Sequence, residues 1–206
     1  MVARTSILSF LALAASAFAS PQLLQQDGAN PYDDAAAIWL PGMTQSSLDQ
    51  SGSADPTNTT TMPTIVADGW SHDGVNDILD FGYADALEPK TNPFAMSIWF
   101  YATSYPSLYG LMGKSIAGSA DRWSIHIVAT NKVVCLLQSS ASAKDVQKTG
   151  VNAGLWHHAC MTTIASPPSN WAFAFYVDGE LVGTNVLGNS DSVDYTGGVT
   201  APYRIG

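Results

Sequence analysis

The segment GLWHHACMTTIASPPSNWAFAFYVDGELVG, at residues 154–183, constrains the fold of this chain more than any other. Its first half alternates with period two, so His157 and His158 lie on opposite faces of an extended strand. Its second half alternates from Phe173 to Val177 and ends at Asp178-Gly179, which accepts positive φ at both central positions of a tight turn. The segment therefore predicts a strand followed by a β-hairpin.

Other strand patterns follow one another at intervals of roughly 10 to 20 residues, with turn residues between them. A chain of many short strands with this spacing is typical of an antiparallel sandwich or jelly roll. We therefore predict an all-β fold of two antiparallel sheets. The predicted strands outside the opening segment are residues 35–40, 94–103, 109–114, 123–130, 131–138 and 203–206.

The first residues have the composition of a secretory signal peptide. Arg4 precedes an apolar run and Ala17-Phe18-Ala19 is a small-x-small cleavage site, which predicts a signal at residues 1–19. Residues 20–34 lack periodicity and predict a flexible leader. A run of about 20 apolar residues, as a membrane span needs, is not present. We predict a secreted protein, in which Asn58 of the sequon Asn58-Thr59-Thr60 is a glycosylation candidate.

The charge balance excludes one class of partner. Without Arg4 the chain has seven basic residues against seventeen acidic ones, a net charge of −10. The basic residues are scattered singly, whereas a phosphate backbone requires clustered Lys and Arg, so nucleic acid is not expected as a partner. The same charge disfavours sulfated or uronic polysaccharides, unless a bound cation bridges the two anions.

The order of these motifs carries a family resemblance. The chain resembles the LamG-like jelly-roll domains of the concanavalin A-like lectin/glucanase superfamily over residues 35–206. The resemblance implies a curved sandwich of two antiparallel sheets that recognises carbohydrate or an extracellular protein. The matching pieces are AAIWLPG, LDQSGS, SHDGVNDILDFG, NPFAMSIWFYAT, LYGLMGKS, DRWSIHIVATNKVVCLL, GLWHHACMTT, FAFYVDGELVG and APYRIG.

One departure from the family pattern concerns the C-terminal end. Members of the family usually continue from the R-I-G strand into a strand of the type G-x-I-D-E-V-R, which completes the sheet. This chain stops at Gly206, so the last strand is expected to be missing and the sequence to be a fragment of a longer protein. An unpaired edge left in this way would be a site for strand pairing with another chain.

A glycoside hydrolase of the same superfold is the least favoured interpretation, and catalysis is not expected. Glucanases of this superfamily carry an E-x-D-x-E or E-x-D-x-x-E strand, which points a nucleophile and an acid to one face. The only glutamates here are Glu88 and Glu180, and they lie far apart in the sequence. A G-x-S-x-G elbow is absent, and the four His and two Cys do not have the spacing of zinc ligands.

Aromatic residues are the candidates for ligand binding, because aromatic rings stack on the C–H faces of pyranoses. In the strand at 94–103, both faces carry large rings. One face is expected to pack in the core, and the other is either partly covered by a loop or forms a sugar-binding surface. Trp171 follows a Pro-Pro-Ser-Asn loop and is either an exposed stacking ring or a ring tucked beneath that loop. The candidates are Trp99, Tyr101, Tyr105, Tyr109 and Trp171.

Calcium is the one cofactor that the sequence suggests. Some relatives of LamG-type and pentraxin-type domains bind Ca²⁺ through loop carboxylates, amides and carbonyls. Turn formation explains the same residues without a metal, and both interpretations stay open. The candidate ligands are Asp49, Asp73, Asn76 and Asp77.

The cysteines and histidines have structural interpretations. Cys135 and Cys160 lie on what are predicted to be consecutive strands, where either a disulfide or two free thiols fit the sequence. Only one of His157 and His158 can point inward, and a buried, hydrogen-bonded structural role is expected for it. Trp156 is expected to seal that end of the core.

These observations favour a secreted, non-catalytic recognition module that binds carbohydrate or an extracellular protein. The alternative is a structural or adhesive domain of a larger extracellular protein, with no small ligand. A fold alone does not determine function, so the choice depends on the site.

Overall fold

A computed structural model describes residues 63–66, 69–73, 75–82, 92–105, 108–114, 122–138, 142–165, 170–187 and 202–206. The chain divides into two compact units. In the first unit, strands β1 (Thr64–Val66) and β2 (Gly69–Ser71) pair antiparallel, with Val66 opposite Gly69. The second unit contains all the other described strands and is the subject of the rest of the description.

One sheet of this unit has four antiparallel strands in the order β11-β10-β9-β4. The predicted hairpin is confirmed, because Asp178 and Gly179 have φ values of 53° and 80° between the last two strands. The positive φ at both positions suits the right-handed twist of the strands that the turn connects. The strands are β4 (Ala95–Tyr101), β9 (Trp156–Ala165), β10 (Trp171–Val177) and β11 (Glu180–Leu187).

The other sheet has six antiparallel strands in the order β3-β12-β5-β6-β7-β8. Its β12 lies between β3 and β5, with Ile205 opposite both Leu79 and Met112. The strands are β3 (Leu79–Asp80), β5 (Leu108–Lys114), β6 (Arg122–Val128), β7 (Lys132–Gln138), β8 (Ala143–Thr149) and β12 (Tyr203–Ile205).

The two sheets enclose one apolar core, which confirms the predicted all-β sandwich of two antiparallel sheets. Each inner face is a row of alternate residues, as the period of a strand dictates. The ring of Phe94 bridges the layers, with its centroid 5.5 Å from that of Trp123 and 5.9 Å from that of Trp171. The buried side chains include Met96, Phe100, Ala159, Met161, Trp171, Phe173 and Phe175 of one sheet and Trp123, Ile125, Val133, Cys135, Leu137 and Tyr203 of the other.

The polar strand β8 was not among the predicted strands. Its sequence AKDVQKT has no apolar alternation and most of its side chains are exposed, yet it pairs with β7 along its whole length. It also contacts β11 of the other sheet, where Lys148 forms an ion pair of 2.9 Å with Glu180. The amide of Asn185 donates a second hydrogen bond across this edge, 2.9 Å long, to the carbonyl of Asp145.

Gly113 in β5 occupies a position that a larger residue cannot fill. Its φ is 148°, and a Cβ there would lie 2.4 Å from the carbonyl oxygen of Trp123 and 2.6 Å from Cα of Ser124. Both of these neighbours are backbone atoms of the paired strand β6. A glycine at this point therefore permits the close approach of β5 and β6.

Several predicted features lie outside the described residues. They are the signal at 1–19, the leader at 20–34, the first strand at 35–40, Asp49 and Asn58. In the part of the chain that the structure describes, no helix is long and apolar enough to cross a membrane.

Candidate ligand-binding face

The outer face of the four-stranded sheet carries a group of exposed aromatic side chains, which we call the aromatic face: Trp99, Tyr101, Trp156 and His158. Trp99 is 65% exposed, Tyr101 49% and Trp156 48%. Alternation explains their direction, because Met96 and Phe100 of β4 point into the core and so the residues between them point outward. The predicted loop cover over this face is therefore wrong at Trp99 and Tyr101.

Strand pairing brings these rings together in two rows. Trp99 lies opposite His158, with ring centroids 4.9 Å apart, and Tyr101 lies opposite Trp156, with centroids 5.8 Å apart. The Ser97 hydroxyl shares a hydrogen bond of 2.6 Å with Nε2 of His158, which fixes the orientation of that ring. Large apolar side chains that remain exposed side by side are typical of an interaction surface.

The histidines behave as the alternation predicts. His157 points inward and is 8% exposed, whereas His158 points outward. Nδ1 of His157 lies 2.7 Å from Oδ2 of Asp178, and its Nε2 lies 2.9 Å from the carbonyl oxygen of Asn152. One ring nitrogen faces a carboxylate and the other a backbone carbonyl, so the ring is held at both ends. The expected buried, hydrogen-bonded histidine is confirmed at His157.

Asp178 lies at the edge of the aromatic face, in the β10–β11 turn. Its Oδ1 accepts a hydrogen bond of 2.8 Å from the backbone N–H of His158, and its side chain is 49% exposed. Partial desolvation favours a raised pKa for this carboxyl. The hydrogen bonds from the His158 backbone and the His157 ring, and the electrostatic attraction of both rings at the acidic pH where the carboxyl titrates, outweigh it, so the pKa of Asp178 is lowered.

Three of the sequence candidates are not members of the aromatic face. Trp171 is fully buried against Phe94, so it is the tucked ring and the expectation of an exposed stacking ring is wrong. Tyr109 belongs to β5 of the six-stranded sheet, opposite Ile127. Tyr105 is half-buried in the loop after β4, where burial and the nearby charge of Asp178 raise the pKa of its hydroxyl.

Trp156 was missed as a site candidate. We expected it to seal the core, but it is half-exposed on the outer face beside Tyr101. The opposite exposures of Trp156 and Trp171 have one cause. Alternation assigns a residue to a face of its strand, and only the pairing of the two sheets decides which face is inside.

The cysteines do not form a disulfide. Both are free thiols, and they lie in different sheets, Cys135 on β7 and Cys160 on β9. The prediction that these two strands are consecutive is wrong, because β8 lies between them in the chain. Cys135 is fully buried on the inner face, and burial raises the pKa of its thiol. Cys160 pairs with Ser97 and Tyr176 on the outer face, and partial burial raises its pKa as well.

The calcium candidates fall in different places. Asp73 belongs to the first compact unit, whereas Asn76 and Asp77 belong to the second. Across the described ranges, no group of three or more His, Cys, Asp and Glu is arranged to hold a metal ion. Calcium binding by Asp49, Asp73, Asn76 and Asp77 stays a prediction.

The described lysines and arginines are confined to one sheet. The described lysines and arginines all lie in strands of the six-stranded sheet, and none lies in β4, β9, β10 or β11. The aromatic face therefore has Asp178 at its edge and no lysine or arginine among its members. These basic residues are Lys114, Arg122, Lys132, Lys144, Lys148 and Arg204.

A laminin G family model of the concanavalin A-like lectin/glucanases superfamily matches residues 73–206, which is most of the chain. The chain belongs to this superfamily. Membership confirms the resemblance seen in the sequence and agrees with the two antiparallel sheets. No match was found among curated proteins.

Several solved structures are similar to this concanavalin A-like domain. Domains LG4-5 of the mouse laminin α1 chain share 22% identity, with a TM-score of 0.43, and the match covers 61% of this chain and 29% of that one. The CBM40 of Ruminococcus gnavus IT-sialidase, bound to α2,3-sialyllactose, shares 18% identity with a TM-score of 0.44, over 62% and 73% of the two chains. An endo-β-1,4-glucuronan lyase from Trichoderma reesei shares 14% identity with a TM-score of 0.38, over 63% and 61%.

Proposed function

We propose that this domain is a secreted, non-catalytic recognition module that binds carbohydrate through the aromatic face. The observation that carries the proposal is the exposure of Trp99, Tyr101 and Trp156 in adjacent register positions of two neighbouring strands. Superfamily membership supports the proposal at the level of fold only, because a fold hosts many functions.

The size of the aromatic face suits a short stretch of sugar chain. Residues two apart on a strand are separated by about 7 Å, and neighbouring strands by about 5 Å. Trp99 and Tyr101 give the first spacing and the opposing Trp156 and His158 give the second. A platform on this scale offers stacking surface for one or two pyranose rings.

Polar groups at the edge of the rings suit the hydroxyl groups of a sugar. The Ser97 hydroxyl and His158 ring lie within the aromatic face, and the half-exposed carboxylate of Asp178 lies one strand further. Ligand sites commonly combine apolar surface with a few placed polar groups of this kind. Each carboxylate oxygen has two lone pairs, so Asp178 retains acceptor capacity beyond its bonds to the histidines.

Non-catalytic function is part of the proposal. Glu180 forms a surface ion pair with Lys148 and lies in the β10–β11 hairpin, so no second carboxylate of the described residues accompanies Asp178 on the outer face. A glycosidase needs two carboxyl groups on opposite sides of a scissile bond.

A glycan array with the wild-type chain, in the presence and absence of Ca²⁺, tests the proposal. We expect binding to neutral glycans, and the comparison between the two conditions also tests the predicted calcium requirement. Trp99→Ala should reduce affinity about five- to hundredfold, because stacking on an aromatic ring contributes on the order of 1–3 kcal/mol in comparable recognition of ring systems.

Leu108→Ala is the matched control, since Leu108 is also 65% exposed but lies on the six-stranded sheet. It should leave binding unchanged. A blank array in both conditions would reject the proposal and favour the alternative of a structural domain without a small ligand. Equal loss of binding in both variants would also contradict it.

A further inference from the structure

Asp178 lies in the same register row as two members of the aromatic face. Trp99 pairs with His158, and the backbone N–H of Asp178 donates a hydrogen bond of 2.8 Å to the carbonyl of His158. With neighbouring strands about 4.8 Å apart, Asp178 lies roughly 10 Å from Trp99, measured between Cα atoms. A short sugar chain stacked on Trp99 can therefore reach this carboxylate.

The carboxylate is held in one place. Oδ1 accepts the N–H of His158 and Oδ2 faces Nδ1 of His157, at 2.8 Å and 2.7 Å respectively. His157 is itself fixed by the carbonyl of Asn152. The side chain is nevertheless 49% exposed, so it presents a fixed negative charge to a ligand.

Among the described residues, no lysine or arginine lies on the outer face, and the histidine that faces the carboxylate, His157, is buried behind it. Every described lysine and arginine lies in the six-stranded sheet. Lys148, which reaches across to the four-stranded sheet, is paired with Glu180 at 2.9 Å. A ligand on the aromatic face thus meets aromatic rings and one carboxylate, the combination that attracts a cation.

We propose that Asp178 is the specificity-determining residue of the aromatic face, and that it selects glycans bearing an ammonium group over neutral glycans and neutral glycans over acidic ones. The inference rests on the proposed function, because it names the ligand class of the same face. Both parts of the selection have the same cause: Asp178 and the rings attract positive charge and repel negative charge.

Asp178→Asn removes the charge and keeps the geometry. Asn tolerates positive φ at a turn as well as Asp does. Its amide oxygen can accept the N–H of His158, and its amide nitrogen can donate to Nδ1 of a singly protonated His157 whose Nε2–H still donates to Asn152. Asp145→Asn on the exposed strand β8 is the control, since it changes the net charge equally but on the other sheet.

The test measures the affinity of the wild-type chain and both variants for three β-1,4-linked tetrasaccharides of gluco configuration. The probes are chitosan tetraose, cellotetraose and tetraglucuronate. Relative to cellotetraose, the first carries an ammonium group in place of the C2 hydroxyl and the last a carboxylate at C6 of each residue. Coulomb's law gives the expected size of the effect for two unit charges about 6 Å apart. With an effective dielectric constant of about 40 to 80, affinity should change about three- to tenfold from one ligand to the next.

The wild-type chain and Asp145→Asn should bind in the order chitosan tetraose, cellotetraose, tetraglucuronate, with steps that shrink as salt is raised. Asp178→Asn should bind all three within about twofold of one another. An order that survives in Asp178→Asn, an order lost equally in Asp145→Asn, or binding of none of the three would each overturn the inference. A positive glycan array that loses its signal in Trp99→Ala would leave the proposed function standing in those cases.

Discussion

The outer faces of the two sheets differ in how they use polar and apolar side chains. On the four-stranded sheet, large rings are exposed and basic residues are absent among the described positions. On the six-stranded sheet, charged side chains form ion pairs, such as that of Arg204 with Asp80 at 2.9 Å. The difference separates a face of exposed rings, which we propose binds a ligand, from a face whose charges join strands to each other.

Two tryptophans of the four-stranded sheet give the largest expected difference between its inner and outer faces. Trp171→Ala should cost about 3–5 kcal/mol of unfolding free energy, because it empties a fully buried site between the sheets. Trp99→Ala should cost less than about 1 kcal/mol, since its ring is mostly exposed. Urea unfolding of both variants checks the pair. A loss for Trp99→Ala as large as that for Trp171→Ala would show that the aromatic face supports the fold.

A pair of glycines compares the two sheets directly. Gly113→Ala should cost about 3 kcal/mol or more, because the new Cβ would overlap backbone atoms of β6. Gly183→Ala in β11 should cost less than about 1 kcal/mol, since its Cβ would lie 3.3 Å from Cγ1 of Val146, a side-chain atom that can shift. Thermal unfolding of the two variants gives the difference, and equal losses would contradict the tighter backbone packing of the six-stranded sheet.

The charges of the six-stranded sheet should contribute to stability rather than to binding. Oδ2 of Asp80 accepts from Nε of Arg204 and its Oδ1 accepts from the backbone N–H of Gly82, so Asp80→Asn should lower stability by about 1 kcal/mol. Asp145→Asn, on an exposed strand, should lower it by less than about 0.5 kcal/mol. Chemical unfolding measures both. A glycan-binding defect in Asp80→Asn without loss of stability would contradict the assignment of these charges to stability rather than binding.

Acid should destabilise the four-stranded sheet slightly through Asp178. Because its folded pKa lies below the unfolded value of about 3.9, its contribution is present above about pH 4 and is lost as pH falls through the folded pKa. The side chain is half-exposed, so solvent screening limits this contribution to less than about 1 kcal/mol. Unfolding free energies of wild type and Asp178→Asn at pH 3 to 6 should converge toward the acid end; parallel curves would argue against the pairing with His157.

The faces of the individual strands were predictable from the sequence. The alternation of Phe173 and Phe175 with Ala174, and of Met96 and Phe100 with Trp99, assigns each residue to the correct side of its strand. The Asp178-Gly179 turn was equally predictable, because few dipeptides accept two positive φ values. These features depend on local geometry, which a sequence reports directly.

Features that depend on the neighbours of a strand were not predictable. β8 has no apolar pattern, and only its pairing with β7 and its contacts with β11 make it a strand. Trp156 and Trp171 both begin strands as large rings, and tertiary packing alone decides that one is exposed and the other buried. The confinement of the described lysines and arginines to one sheet likewise becomes visible only when strand order is known.

The two free thiols differ in accessibility, so their labelling rates can report how often the domain opens. Cys135 has no exposed surface between the sheets, so an alkylating reagent reaches it only in molecules whose sandwich has opened. Cys160 is half-buried on the outer face and requires only local access. The ratio of their labelling rates therefore reports the opening equilibrium of the whole domain, without any introduced probe.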